Sequence, residues 1–577
     1  MPTMICSFAR HFARMSAMTT PIVPSQSELD TLDIGIIGMG DMGRLYARKF
    51  AQAGFRHINV CDRPENYEAL KAELAEKEPG LTVYKDGHFV SRRSDVIIYS
   101  VEAAFLDAVV AQYGPSTKIG AIVSAQTSVK APEQKAFDAH LPQDVSIISC
   151  HSLHGPKVDT TNQPLVLIQY RATDAQLHLF ERLFANFKSR YVYLSYEEHD
   201  TVTANTQAVT HAAFLSMGTA WRCSNSYPWD NGLYPRGIET VKINLMLRIY
   251  SAKWHVYAGL ALLNPSARTQ VSQYAESATA LFKLMIAEDE EALVRRVFEA
   301  RRVVFGWEEG EEGEGVRPPL SRGESSGFPA PVPPPPPATP AKAGFGDEIS
   351  GPPPSRPNNH QPILMSDRLL DQFHLTLRRR AREALAEDGG GGDEEEDSTP
   401  PGNGAVNGTL LQQAATAAVT TRLSNTSTDG GAKTTTDPPN SHLSLLAIVD
   451  SWAHLSIDPY AHLSLAATPL FRLWIGVSEY LFRSPTRLRA ACSAAIHMSE
   501  FRADDTEFVV AARGWAQAVQ FGGGEGGGVG GFELYRWRFE DTARFFKDRF
   551  DEANAVGAEM LKVVAVDQQG QGQAVTK

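Results

Sequence analysis

Cysteine is scarce in this chain: five residues in 577, at Cys6, Cys61, Cys150, Cys223 and Cys492, with no Cys-x-x-Cys pair among them. That spacing excludes a disulfide framework and a thiolate zinc site, fits a reducing compartment, and leaves no metal to be expected. Long apolar runs are missing as well. No uninterrupted stretch reaches the roughly 18 residues that a membrane-spanning helix needs, so no membrane partner is predicted. Positive charge is also in deficit: 55 Lys and Arg stand against 67 Asp and Glu, a formal net charge of -12. A general nucleic-acid binder would show the opposite balance.

What is present is enough for several cores. With 43% hydrophobic residues, the length suggests two or three domains joined by irregular segments. Residues 1–30 read as a disordered extension. Arg10, Arg14 and several serines precede the first acid, Glu28, a composition shared with mitochondrial presequences. The plainer reading is an untidy extension, with Met18 a candidate start and the cytoplasm the expected location.

The most informative stretch follows at Ile34-Gly-Ile-Ile-Gly-Met-Gly-Asp-Met-Gly43. An apolar strand runs into three glycines, each with a physical task. Gly38 permits the tight turn, Gly40 lets phosphates approach the backbone, and Gly43 allows close packing of the next helix. Gly38, Met39, Gly40, Asp41, Met42 and Gly43 are therefore expected to cradle a pyrophosphate at a helix N-terminus. A helix over 42–53 and a second strand, His57-Ile-Asn-Val-Cys-Asp62, complete the unit. Asp62 stands where a ribose hydroxyl would be held, whereas Arg63 beside it suits a 2'-phosphate. NAD and NADP both stay open, with NADP favoured.

Further short strands, at 81–84, 95–100 and 119–124, alternate with helical segments, which predicts a doubly wound parallel sheet of Rossmann type over 31–196. From about Glu197 the pattern becomes helical, with helices expected near 200–220, 241–263 and 275–305. A low-complexity insertion occupies 307–440 and is expected to be mostly disordered, apart from a helix over 363–387. Helices resume at 441–455, 469–483 and 486–499, then at 534–561 after a glycine-rich loop, 522–531; residues 566–577 form a tail. The fold class is thus an α/β Rossmann domain followed by an all-α domain, in two parts, 197–306 and 441–565. The apolar run 442–452 reads as internal core.

His151 ends an apolar run, 145–148, at the edge where ligands of such sheets lie. A neutral imidazole there can take the hydroxyl proton while hydride leaves a carbinol carbon. The alternative is a strand-end histidine that merely satisfies a carbonyl. Ser128 assists the base or caps a helix, Asp200 caps the helix it begins, and Lys130 and Lys253 read as surface lysines.

Several segments together are similar to those of the prephenate dehydrogenases, in particular the long fungal NADP-dependent form. They are the glycine fingerprint, Val90–Glu102, His151-Ser-Leu-His-Gly-Pro-Lys157, Tyr196-Glu-Glu-His-Asp200, Thr206–Ser216, Leu247–Leu260 and Asn440–Trp452. The resemblance covers roughly 32–306 and 440–565. It implies oxidative decarboxylation of prephenate to 4-hydroxyphenylpyruvate with reduction of NADP, in tyrosine biosynthesis. It also implies that His151 is the catalytic base, Ser128 its assistant, Arg248 the anchor of a substrate carboxylate and His211 a second substrate-site histidine. Helical domains that pair into a homodimer are implied too. Three other readings compete: arogenate as substrate, a β-hydroxyacid dehydrogenase with the same glycine opening, and a nucleotide-sensing protein without catalysis.

Overall fold

A computed structural model describes residues 23–78, 80–156, 158–225, 227, 229, 237–310, 362–364, 373, 440–466, 468–522 and 528–560. Eight strands form one sheet: β1 Asp33–Ile37, β2 His57–Cys61, β3 Leu81–Val83, β4 Val96–Tyr99, β5 Ile122–Ala125, β6 Ser146–Ser152, β7 Pro164–Arg171 and β8 Arg190–Tyr193. Their order is β3-β2-β1-β4-β5-β6-β7-β8. The order reverses at β1, which places a ligand crevice beyond the carboxyl ends of β1 and β4. One pairing departs from the expected parallel sheet, since β6 and β7 run antiparallel. No helix lies between them, and the short connection cannot make the crossover a parallel pair needs.

Helices α1 Gln26–Thr31, α2 Asp41–Ala53, α3 Tyr67–Lys77, α4 Gly87–Arg93, α5 Ala103–Tyr113, α6 Ala131–His140 and α7 Asp174–Leu183 accompany the sheet. The first corrects the expectation of disorder through residue 30. Ser25 and Glu28 form a reciprocal capping box, and Arg182 grips the Glu28 carboxylate at 2.7 Å. Under α2, Tyr46, Phe50, Phe184 and Phe187 pack mostly edge to face with centroids about 5–6 Å apart, each such pair adding about 0.5–1.5 kcal/mol beyond burial.

The helical region opens with α8 Tyr196–Thr203, a π-helical turn Ala204–Ala208, and α9 Val209–Cys223. The expected helix over 241–263 is two helices, α10 Ile238–Tyr250 and α11 Trp254–Leu263. Likewise 275–305 is covered by α12 Ala267–Ile286 and α13 Glu290–Phe305. Then come α14 Leu443–His454, α15 Pro459–Leu465, α16 Pro469–Arg483, α17 Pro485–His497, α18 Arg502–Gly522 and α19 Gly528–Phe546. Gly522 and Gly528–Gly531 thus belong to helices rather than to the expected loop. Gly522 and Gly531 let α18 and α19 close together, because a Cβ on Gly531 would meet the Gly522 carbonyl at 2.4 Å. The run at 442–452 is buried, its residues joining one large apolar core with α9, α10, α12 and α13.

The expected disorder of the insertion and the tail, and the expected helix over 363–387, fall outside the described residues except at 362–364 and 373. There Leu364 and Phe373 are buried in the same core. Among the described residues no helix is long and apolar enough to cross a membrane, and no group of His, Cys, Asp and Glu is arranged to hold a metal.

Candidate active site

The glycine fingerprint occupies the turn from β1 into α2. Gly38 has φ +103, a left-handed conformation suited to glycine, and a Cβ there would lie 2.4 Å from the Ser100 carbonyl. On Gly43 it would lie 2.1 Å from the Gly38 carbonyl, so this glycine is what lets α2 close onto the turn. At Gly40 a Cβ would meet nothing within 4 Å. The space over Gly40 is open, as a cradle for a pyrophosphate requires, and no side chain caps the N-terminus of α2. Met39 is buried, Met42 half-buried, and Asp41 faces Lys253 of the helical region across 3.7 Å.

Asp62 has a different task from the expected one. Its Oδ2 accepts the Met39 N–H at 2.7 Å, and its Oδ1 accepts the Arg63 N–H at 2.7 Å and the Asn66 amide at 3.1 Å. Both oxygens are engaged in holding the fingerprint turn. Arg63 is largely exposed, with Glu65 at 3.6 Å as a loose partner.

At the carboxyl end of β6, His151 is 7% exposed and forms the head of a chain of hydrogen bonds. His199 Nδ1 lies 3.0 Å from Asp200 Oδ1, and His199 Nε2 lies 2.8 Å from His151 Nδ1. A carboxylate only accepts, so His199 donates from Nδ1 and its Nε2 is left to accept. His151 must then donate from Nδ1. Its Nε2 is the bare nitrogen, with a lone pair available to a substrate. Burial, then the facing His199 ring and Lys130, hold the His151 imidazole well below its ordinary value, so it stays neutral.

Asp200 does not cap its own helix; Ser195 and Glu198 do that with a capping box. Instead its two oxygens accept the Lys130 and Ala131 N–H groups at 2.7 and 2.8 Å, at the start of α6. Lys130 is likewise no surface residue. It is fully buried, pairs with Glu133 at 2.7 Å, and donates to the carbonyls of Cys150 at 2.9 Å and Ala125 at 3.2 Å. That clamp joins the ends of β5 and β6 beside His151. Tyr46 of α2 reaches the same strand end, at 2.7 Å from Ser152 Oγ.

Ser128 sits half-buried in the loop between β5 and α6 and makes no hydrogen bond among the described residues, so it is no helix cap. Next to it, Val129 packs with Ala204, Ala208, Leu260 and Ala267, joining this loop to the π-helical turn, α11 and α12. His211 follows that turn, half-buried, with its ring 4.7 Å from Tyr257; its Nδ1 has no partner and burial pushes the imidazole down to about 3. Arg248, near the end of α10, is half-buried and makes no ion pair or hydrogen bond among the described residues. A buried-edge guanidinium without a partner is prepared for an anion from outside the protein.

Comparison with known proteins agrees with this geometry. Residues 33–127 match the family model described as NADP oxidoreductase, coenzyme F420-dependent. Residues 208–316 and 410–566 match a model described as a 6-phosphogluconate dehydrogenase C-terminal domain. A Schizosaccharomyces pombe protein named probable prephenate dehydrogenase, NADP(+), is 42% identical over 92% of this chain and 97% of its own. The Saccharomyces cerevisiae protein named prephenate dehydrogenase, NADP(+), is 41% identical over 92% of this chain and 93% of its own. This chain belongs to the prephenate dehydrogenase family. A solved prephenate dehydrogenase from A. aeolicus is 19% identical, covering 46% of this chain and 94% of that one, with a TM-score of 0.37.

Within this site, His199 and Glu133 were not singled out in the sequence. His199 had one visible sign. The capping box Ser195-Tyr-Glu-Glu198 already starts α8, which leaves the adjacent His199-Asp200 pair without a capping duty.

Proposed function

We propose that this chain oxidises and decarboxylates prephenate to 4-hydroxyphenylpyruvate with NADP, as a step of tyrosine biosynthesis. The observation that carries the reading is the Asp200–His199–His151 chain, which leaves a neutral, correctly oriented base at the mouth of a dinucleotide fold. NADP would lie over Gly40, its pyrophosphate on the N-terminus of α2. Asp62 commits both oxygens to the turn, which weakens its claim on a ribose hydroxyl, while exposed Arg63 remains for a 2'-phosphate. When bound, the nicotinamide supplies the hydride acceptor.

The chain's own residues do the rest. His151 Nε2 takes the proton of the ring hydroxyl as the carbinol carbon is oxidised. Ser128, without a protein partner, is placed to hold the same hydroxyl. Arg248 offers two parallel N–H groups to a substrate carboxylate, and His211 lines the helical side. Loss of the ring carboxyl group as carbon dioxide leaves its bonding electrons in the ring, which becomes aromatic. Alignment by fixed groups supplies the rate, since the gain of aromaticity drives the reaction.

The test is absorbance of the reduced nicotinamide with prephenate or arogenate and NADP or NAD, run beside His151→Asn. Turnover of prephenate with NADP, falling about a hundredfold or more in the variant, is expected. Turnover of arogenate alone would move the substrate. Cofactor binding without turnover of either would refute the assignment.

A further inference from the structure

The helical region repeats itself. A shift of 235 positions carries Asn205 onto Asn440 and Arg248 onto Arg483. In the longest helices a shift of 234 carries Tyr274, Ala278, Leu281 and Met285 of α12 onto Phe508, Ala512, Trp515 and Val519 of α18, all of them buried. By this register α9, α10, α11, α12 and α13 correspond to α14, α16, α17, α18 and α19.

The two sets pack as a two-fold pair demands. α9 lies on α18, and its counterpart α14 lies on α12. α13 lies on α14, and α19 on α9; α11 meets α19, and α17 meets α13. Equivalent helices α12 and α18 pack on each other. Tyr274 and Phe508, equivalent residues, touch edge to face with centroids 6.3 Å apart, which marks an axis between them. The ion pairs are reciprocal too: Arg296 with Asp450 ties α13 to α14, and Arg222 with Asp541 ties α19 to α9.

The copies differ at the arginine. Arg248 has no partner among the described residues, whereas Arg483 donates to the Leu364 carbonyl at 3.2 Å. One turn earlier, Glu479 accepts the Ile363 N–H at 3.0 Å, and Ile363 lies against Gly476, where a Cβ would meet it at 2.9 Å. The shift that carries Arg248 onto Arg483 also carries Asn244 onto Glu479, and Asn244 donates to the Phe373 carbonyl at 3.0 Å. His211 corresponds to Leu446, a buried core residue.

We propose that the helical region is one five-helix unit used twice and paired about a two-fold axis within a single chain. Only the first copy keeps a substrate arginine; in the second, Arg483 anchors residues 362–364. The site is then complete in one chain, one per chain, without the expected homodimer. The assignment of Arg248 rests on the proposed function.

Full-length wild type, Arg248→Lys, Arg483→Lys and Gly476→Val are compared by steady-state kinetics, thermal unfolding and calorimetric titration of 4-hydroxyphenylpyruvate onto the NADP-saturated protein. One ligand per chain is expected. Arg248→Lys should raise KM about tenfold or more with an unchanged Tm. Arg483→Lys, and Gly476→Val which displaces Ile363 directly, should lower Tm by several degrees with kcat and KM within about twofold. Two ligands per chain, or a KM rise in Arg483→Lys to match Arg248→Lys, would overturn the proposal. So would recovery of activity when His151→Asn and Arg248→Lys chains are co-expressed, because that requires a site shared between chains. A wild type inert toward prephenate would sink the functional reading alone; the internal pairing would then be decided by the unfolding contrast between the two arginines.

Discussion

Replacing His199 by alanine removes the acceptor that fixes the His151 proton on Nδ1, where the two rings meet at 2.8 Å. His151 is then left with a buried donor lacking a partner, a cost of about 1–3 kcal/mol. It can escape by carrying its proton on Nε2, the tautomer unable to accept the substrate hydroxyl proton. At about 1.4 kcal/mol per tenfold in rate, kcat should fall roughly 5- to 150-fold. The pH profile should move as well. Burial is the largest cause of the depressed His151 value, with the His199 ring next. Alanine removes the ring and admits water, so the His151 value rises and the acid limb of kcat/KM moves to higher pH. His199→Gln restores an acceptor and should recover most of kcat. The assay is reduced-nicotinamide absorbance with prephenate and NADP across the acid range. If both variants keep kcat and acid limb within about twofold of the wild type, the orienting role of His199 is refuted.

Gly40→Ala should fold normally, since its Cβ meets nothing, yet weaken NADP binding about tenfold or more by crowding the phosphates, whereas Gly43→Ala should be destabilised by its clash with the Gly38 carbonyl. Fluorescence titration and thermal unfolding separate the two outcomes. Arg63→Ala should raise KM for NADP about tenfold and leave that for NAD nearly unchanged, as steady-state kinetics with each cofactor will show. Burial pushes the Asp505 carboxyl up to about 7. The folded chain therefore keeps a proton that the unfolded chain releases near pH 4, and the stability this contributes is full below that pH and lost as pH rises through about 7. Asp505→Asn mimics the protonated acid, so it should raise Tm by a few degrees near pH 8 and hardly at all near pH 5, measured by scanning calorimetry.

The cofactor half was legible because its chemistry is local. Gly38, Gly40 and Gly43 act through their own backbone, and the structure gives each the geometry its place in the motif implies. His151 was legible for a similar reason, as the residue at a strand's carboxyl end. The antiparallel β7 was hidden because apolar alternation carries no strand direction, and α1 because its capping box is short and finds its anchor, Arg182, far along the chain. Lys130 misled because type alone says surface, while its three oxygen partners come from β5, β6 and α6. Helix breaks at 251–253 and 287–289 lacked proline or glycine, so periodicity ran through them.

Asp200 shows why the rest of the site could not be read residue by residue. Its carboxylate fixes the proton positions of His199 and, through it, His151. The same two oxygens accept the N–H groups of Lys130 and Ala131, which end the loop that carries Ser128. Asn264 of the α11–α12 turn donates to the Asp200 carbonyl at 2.8 Å, tying the helical region to the same point. The base, the serine loop and the helical region thus take their positions from one residue on the first helix after the sheet. Each partner is an ordinary local feature in sequence; only the fold makes them a unit, because the four segments that meet at Asp200 are separated by tens of residues and joined by no shared motif.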